Sequence, residues 1–205
     1  MNEMPLTRIS ASAEKQEGIR HAVRCAITMG DLARLASPTD VDSLTTLLAD
    51  PEISGPIYTL PEEICSRTIG DFVERHLVER QQGKGLLMIS SDDAGEVSAY
   101  QDIQVWPQWA ACELGGALRG NRQNAGQGGL GVAIAIAWLF DEIGVDLICE
   151  TAALDNVRTA RLLERIGFTF KGEIQSNLAD GTVRPSLYWE LTRDEWAVLS
   201  KTTLS

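Results

Sequence analysis

Histidine is nearly missing from this chain of 205 residues, which has only two, and its four cysteines are far apart. Cys25, Cys65, Cys112 and Cys149 form no CxxC pair, and only His21 stands near one of them. That scarcity argues against a zinc site or a disulfide framework, so no metal is expected, and it fits a reducing, cytoplasmic setting. Long hydrophobic runs are also lacking. Only Leu130 to Phe140 is continuously apolar, too short to span a bilayer and suited to a buried helix. The stretch His21 to Met29 is short and carries Arg24, so neither a secretory signal nor a membrane association is expected. Basic residues are outnumbered, 18 Lys and Arg against 29 Asp and Glu, for a formal net charge of -11. With no segregated basic patch, phosphate repulsion makes nucleic acid a poor partner. The same acidity serves solubility and can attract cationic amines.

An ordinary apolar share of 44% and the lack of internal repeats or low-complexity linkers predict one core. Residues 1–29 are polar and aperiodic and read as an N-terminal extension of uncertain order, leaving 30–205 as a single domain. The spacing predicts a strand at Leu32 to Ala36 and a helix carrying Val41, Leu44, Leu47 and Leu48. A second helix is expected from Pro61 to about Gln81. Gly85 to Ser90 and Glu96 to Val105 read as a hairpin across the turn Asp92-Asp93-Ala94-Gly95. Ala111 to Arg119 is a further strand whose Gly115-Gly116 pair signals a bulge or a close backbone approach. A glycine-rich loop, Gln123 to Gly129, leads into an apolar helix from Leu130 to Ile143, expected to be buried on a sheet face. A strand at Asp146 to Thr151 and a helix at Val157 to Ile166 follow, the helix capped by Asp155 or Asn156 and stopped by Gly167. Phe168 to Ile174 and Ser186 to Leu191 supply the last strands. This order predicts an α/β (α+β) fold with helices on both faces of a mixed sheet.

Glycines between a strand and a helix let backbone N–H groups converge on an anion, so the loop is a candidate phosphate site. It lacks the lysine and hydroxyl needed to hold a magnesium-bound triphosphate. The loop's Gln123-x-x-Gly126-x-Gly128 resembles the [Q/R]-x-x-G-x-[G/A] signature of the GNAT (GCN5-related N-acetyltransferase) superfamily. The stretches Leu139 to Gly144 and Asp155 to Phe168 are similar to its ribosomal-protein alanine acetyltransferase branch, as are Tyr188-Trp189-Glu190-Leu191 and Asp194-Glu195-Trp196. The likeness is close in the C-terminal half and, in the N-terminal half, extends to the order of elements.

The resemblance implies the GNAT fold, a mostly antiparallel mixed sheet splayed between its fourth and fifth strands. It also implies an acetyl-CoA-dependent N-acetyltransferase acting on a primary amine, either a protein N-terminus or a small amine, by direct attack in a ternary complex. The pyrophosphate would rest on Gln123, Gly126, Gln127, Gly128 and Gly129, and the pantetheine arm would run beside Gly116, Ala117 and Leu118. Asn156 and Thr159 stand at positions that touch the cofactor in the family, and look-alikes include homodimers.

The chemistry needs a base for the amine and a proton for the leaving thiolate. Glu113, on the strand face opposite Cys112, Leu114 and Leu118, is the candidate base, with Asn156 beside it in the catalytic set; Glu150 and Asp102 come next. His21 and His76 are read as bystanders, and Cys112 and Cys149 as core residues. Trp138 is expected in the core, while Trp106 and Trp109 are candidates for an exposed acceptor wall. The superfamily's tyrosine, seven positions after the asparagine, is replaced by Leu163, which leaves the general acid open. Two alternatives follow: a CoA-binding or sensing module with little turnover, or a transferase for another acyl-CoA.

Overall fold

The computed structural model describes residues 4–119, 127–177 and 181–203. In chain order it comprises α1 (Ala13–Cys25), β1 (Thr28–Met29), β2 (Ala33–Leu35), α2 (Val41–Leu48), α3 (Pro51–Ser54), α4 (Ser66–Gln81), β3 (Gly85–Ser91), β4 (Val97–Trp106), β5 (Ala111–Leu118), α5 (Gln127–Trp138), β6 (Leu147–Ala153), α6 (Val157–Ile166), β7 (Thr169–Asn177), β8 (Val183–Thr192) and α7 (Arg193–Thr203). The strands form one sheet in the order β1-β2-β3-β4-β5-β6-β8-β7. Neighbours are antiparallel except β5 and β6, which run parallel.

Alternation along β3 divides the interior in two. Leu86 and Met88 enter a core shared with α1, α5 and α6, whereas Leu87 and Ile89 enter one shared with α2, α3 and α4. Helices therefore cover both faces, because each face of β3 buries its own apolar row.

Several local expectations are revised. The segment read as an aperiodic extension contains α1, whose Ser12 accepts from the Lys15 N–H as N-cap. Ile19 and Val23, four residues apart on one face, are buried in the main core. Each contributes roughly 1.5–3 kcal/mol of burial, enough to hold an otherwise polar helix on the sheet. Helix α5 is less buried than its composition implies, since Ala135 and Ile136 face the core while Leu130 is 65% and Ile134 39% exposed. It passes into a π-helical turn at Leu139–Ile143. The Gly115-Gly116 pair makes no bulge, because the β4–β5 register runs unbroken from Trp106↔Ala111 to Ala99↔Leu118. It is instead a close approach: Gly116 has φ +142°, and a Cβ there would stand 2.2 Å from the Tyr100 carbonyl oxygen.

The decisive feature lies between β5 and β6. They pair only at Ala111↔Leu147, Cys112↔Ile148 and Glu113↔Cys149. Beyond that point β5 stays with β4 as far as Leu118, and β6 stays with β8 as far as Ala153↔Ser186. Each strand follows its other neighbour and the sheet splays. The parting strands are the fourth and fifth of the sequence reading, and the two-residue β1 makes them the fifth and sixth.

Candidate active site

A cleft of about 430 Å³ opens where the two strands part. Glu113 and Gly116 line it from β5, Glu150 and Thr151 from β6, and Asn156 and Thr159 from the start of α6. Tyr58, His76, Asp102 and Arg184 complete the other side.

Glu113 is the last β5 residue paired with β6, and it is 6% exposed. The Tyr58 hydroxyl donates to its two carboxylate oxygens at 2.9 and 2.8 Å, and the Thr151 hydroxyl donates at 2.9 Å. Burial pushes the Glu113 carboxyl up, the hydrogen bonds from Tyr58 and Thr151 pull it down, and the Asp102 charge adds upward, for a net rise to about 7. A carboxylate so poised changes charge near neutral pH, the condition for efficient general-base work. Tyr58 is itself pushed up by burial and by Glu113, so it remains a donor.

Glu150, one residue past the last β5–β6 pair, projects from the opposite face of β6 to Thr151. Its carboxyl is raised well above the ordinary range, first by burial and then by Glu113.

His76, read as a bystander, is 4% exposed and part of the cleft wall. Its Nδ1 lies 2.8 Å from the Phe72 carbonyl oxygen and its Nε2 lies 2.9 Å from an Asp102 carboxylate oxygen. Both partners accept, so both ring nitrogens carry hydrogen and the pair is imidazolium with carboxylate. Burial alone would lower the His76 pKa, but the hydrogen bond and charge of Asp102, with help from the Phe72 carbonyl and Glu79, raise it overall. Asp102, the third candidate base, is thus committed to His76.

The remaining expectations divide. Asn156 turns its side-chain oxygen to the Thr159 N–H at 3.1 Å, which settles the α6 cap on Asn156 rather than Asp155. Ala117 packs against the α2–α4 core, and Leu118 ends the strand opposite Ala99. Gln127, Gly128 and Gly129 form the first turn of α5, whereas Gln123 and Gly126 lie outside the described residues. Cys112 and Cys149 are buried in core clusters, and Leu163 is buried at 2% exposure with no acidic hydrogen to offer. Trp106 and Trp109 pack against the cluster around Cys149 and Tyr188 rather than walling the cleft, and Trp138 packs against the main core. Arg184 stands over the Tyr58 ring at 5.3 Å and donates to the Pro56 carbonyl at 2.8 Å, tying the Tyr58 segment to β8.

The acetyltransferase (GNAT) domain family matches residues 32–169. No curated protein matches the chain by sequence. Among solved structures, a ribosomal-protein-S5-alanine acetyltransferase from Vibrio fischeri superposes with TM-score 0.67 at 14% identity, over 80% of this chain and 93% of that one. RimJ of Mycobacterium smegmatis, solved in complex with CoA-disulfide, gives TM-score 0.68 at 16% identity over 83% and 88%. A GCN5-related N-acetyltransferase from Brucella melitensis gives 0.66 at 17% identity over 84% and 80%. The matched stretch contains both parting strands and α6, which line one side of the cleft, and the chain belongs to the GNAT acetyltransferase family.

Proposed function

We propose that the protein is an acetyl-CoA-dependent N-acetyltransferase that acetylates a primary amine by direct attack within a ternary complex. The observation that carries this reading is Glu113, a buried carboxyl with a pKa near 7, at the point where β5 and β6 part. Acetyl-CoA supplies the activated acyl thioester. The gap suits its pantetheine arm, because β5 has lost its strand partner there. The bond from the Arg119 N–H to the Ser98 carbonyl on β4 fixes the strand's phase, so alternation turns the backbone groups of Leu114 and Gly116 toward the gap. The first-turn N–H groups of α5 suit the pyrophosphate. Asn156 and Thr159 stand beside the gap to orient the thioester end.

In this reading Glu113, as carboxylate, draws the proton from the attacking amine directly or through a water. Tyr58 and Thr151 hold its oxygens in place. Such a base is worth about 10²–10⁴ in rate. The acceptor side carries Glu79, Asp102 and Glu113, which suit an ammonium before deprotonation, and Arg75 and Arg184, which suit a nearby carbonyl or carboxylate. That combination, with ribosomal-protein acetyltransferases among the structural relatives, favours a protein N-terminus over a small polyamine.

Incubation with acetyl-CoA and a panel of amines (peptides with free N-termini, polyamines, aminoglycosides), scored by thiol release, tests the proposal. Release that depends on an added amine, largest with a peptide, is the expected result. Failure to bind acetyl-CoA overturns it. Binding without release favours a second reading, a CoA-binding module with little turnover, whose motive is the buried Leu163 where the superfamily often has tyrosine. Competition among acyl-CoA thioesters shows whether acetyl is the preferred group.

A further inference from the structure

We propose that Glu150 is the general acid of the transfer, giving its carboxyl proton to the departing thiolate; the inference rests on the acetyltransferase reading above. Three geometric facts carry it. Glu150 is the first residue of β6 beyond the last pair with β5, so its side chain starts where the gap starts. Alternation along β6 puts Cys149 and Thr151 on the Glu113 side and Ile148, Glu150 and Ala152 on the other, where Ile148 and Ala152 belong to the main core. Glu150 is only 9% exposed, lines the cleft, and among the described residues receives no hydrogen bond.

An unpartnered carboxyl in an apolar row is costly unless it stays neutral, and a neutral carboxyl has one hydrogen to donate. The titratable groups that reach it are Glu113 and Cys112 from β5 and Cys149 beside it on β6. Burial pushes both thiols up, so they stay neutral, and the Glu113 charge reinforces burial in keeping Glu150 protonated. The two carboxyls thus present opposite protonation states to one gap, a base held by two donors and an acid held by none. Paired carboxyls pushed apart by their surroundings mark acid and base roles.

The protons balance. The amine nitrogen bonds to the carbonyl carbon and loses one proton to Glu113. The carbon–sulfur bond breaks, its electron pair goes to sulfur, and sulfur takes the Glu150 proton. Glu113 is then protonated and Glu150 ionised, and exchange with water as products leave restores both. Leu163, at the position where the superfamily often has tyrosine, is buried and offers no acidic hydrogen.

Glu150→Gln keeps the shape and removes the acid, and Glu150→Leu removes the polar group altogether. Both variants are expected to bind acetyl-CoA within about threefold of wild type and to lose about 10²-fold in kcat. The alkaline fall in the wild-type kcat profile, where Glu150 ionises, should vanish in Glu150→Gln. Glu150→Leu should also raise Tm, since it removes an unpaired buried polar group at the expense of function. In the free protein, carbon-13 NMR of labelled glutamate should show one carboxyl, missing in Glu150→Gln, that titrates well above the ordinary carboxylate range. The proposal is overturned if either variant, folded and binding acetyl-CoA, keeps kcat within about threefold, or if that carboxyl titrates in the ordinary range. Wild-type protein that turns over no amine overturns the acetyltransferase reading, and this assignment falls with it.

Discussion

Burial and hydrogen bonding pull Glu113 in opposite directions, and the balance governs its contribution to stability and, in the proposed mechanism, to rate. Its folded pKa of about 7 lies above the ordinary 4.5, so the folded state holds the proton more tightly than the unfolded chain does. The stability linked to this group is therefore full below pH 4.5 and falls as pH rises through about 7, by roughly 3 kcal/mol. The proposed general-base role needs the opposite charge state, so kcat should climb across the same window. Glu113→Gln is expected to lower kcat by about 10²-fold or more, abolish that climb, and raise Tm relative to wild type at about pH 8. Rate against pH and thermal melts at two pH values check this. The His76–Asp102 pair makes a second prediction of the same sign. The raised His76 pKa means that its contribution is full below about pH 6.5 and lost as pH rises through the folded value. Glu113 and His76 thus both favour a melting temperature that declines from mildly acidic to alkaline pH. His76→Leu strands the Asp102 carboxylate and should cost about 3 kcal/mol in denaturant unfolding.

At the scale of elements, β5 is shaped by its neighbours as much as by any ligand. A Cβ at position 116 would meet the Tyr100 carbonyl at 2.2 Å, whereas one at Gly115 would meet the Asp102 carbonyl oxygen at an ordinary 3.6 Å. Gly116→Ala should therefore cost at least about 1–3 kcal/mol in thermal unfolding, and Gly115→Ala well under that. Asn156 poses a sharper question, since it both caps α6 and faces the cleft. Asn156→Ala should cost about 1 kcal/mol through the cap alone. Asn156→Asp keeps the capping oxygen, so its Tm should hold while turnover falls about 10-fold or more from loss of the amide donor. Equal turnover in Asn156→Asp would leave the residue a cap only. Helix α6 was legible at its bounds because polar cap, period and closing Gly167, with φ +109°, agree. Helix α1 was not, because only Ile19 and Val23 in a run of charged residues mark its buried face. His76 left a signal that could have been used: Ile69, Phe72 and Val73 set a stripe that returns at position 76.

Over the whole molecule, the cleft exists because two halves of the sheet follow different partners, which is a topological fact and not a local one. The splay was implied by the family resemblance, and β5 and α6, which bring Glu113, Asn156 and Thr159 to the cleft, each carry their own sequence signals. Tyr58 carries none. It sits in an aperiodic segment between α3 and α4, 55 residues from Glu113, held by Ile57 against the α2–α4 core and by the bond from Arg184 on β8 to the Pro56 carbonyl. The cleft wall of Glu79, Asp102 and Arg184 is likewise assembled from α4, β4 and β8, none of which carries a recognisable motif of its own. The most direct measurement is a crystal structure of the protein with CoA. Density for the pantetheine arm is expected between Gly116 on β5 and Ala152 on β6, with the sulfur end beside Glu113 and Glu150. Density for CoA elsewhere on the surface, or β5 and β6 paired along their full length, would contradict this placement.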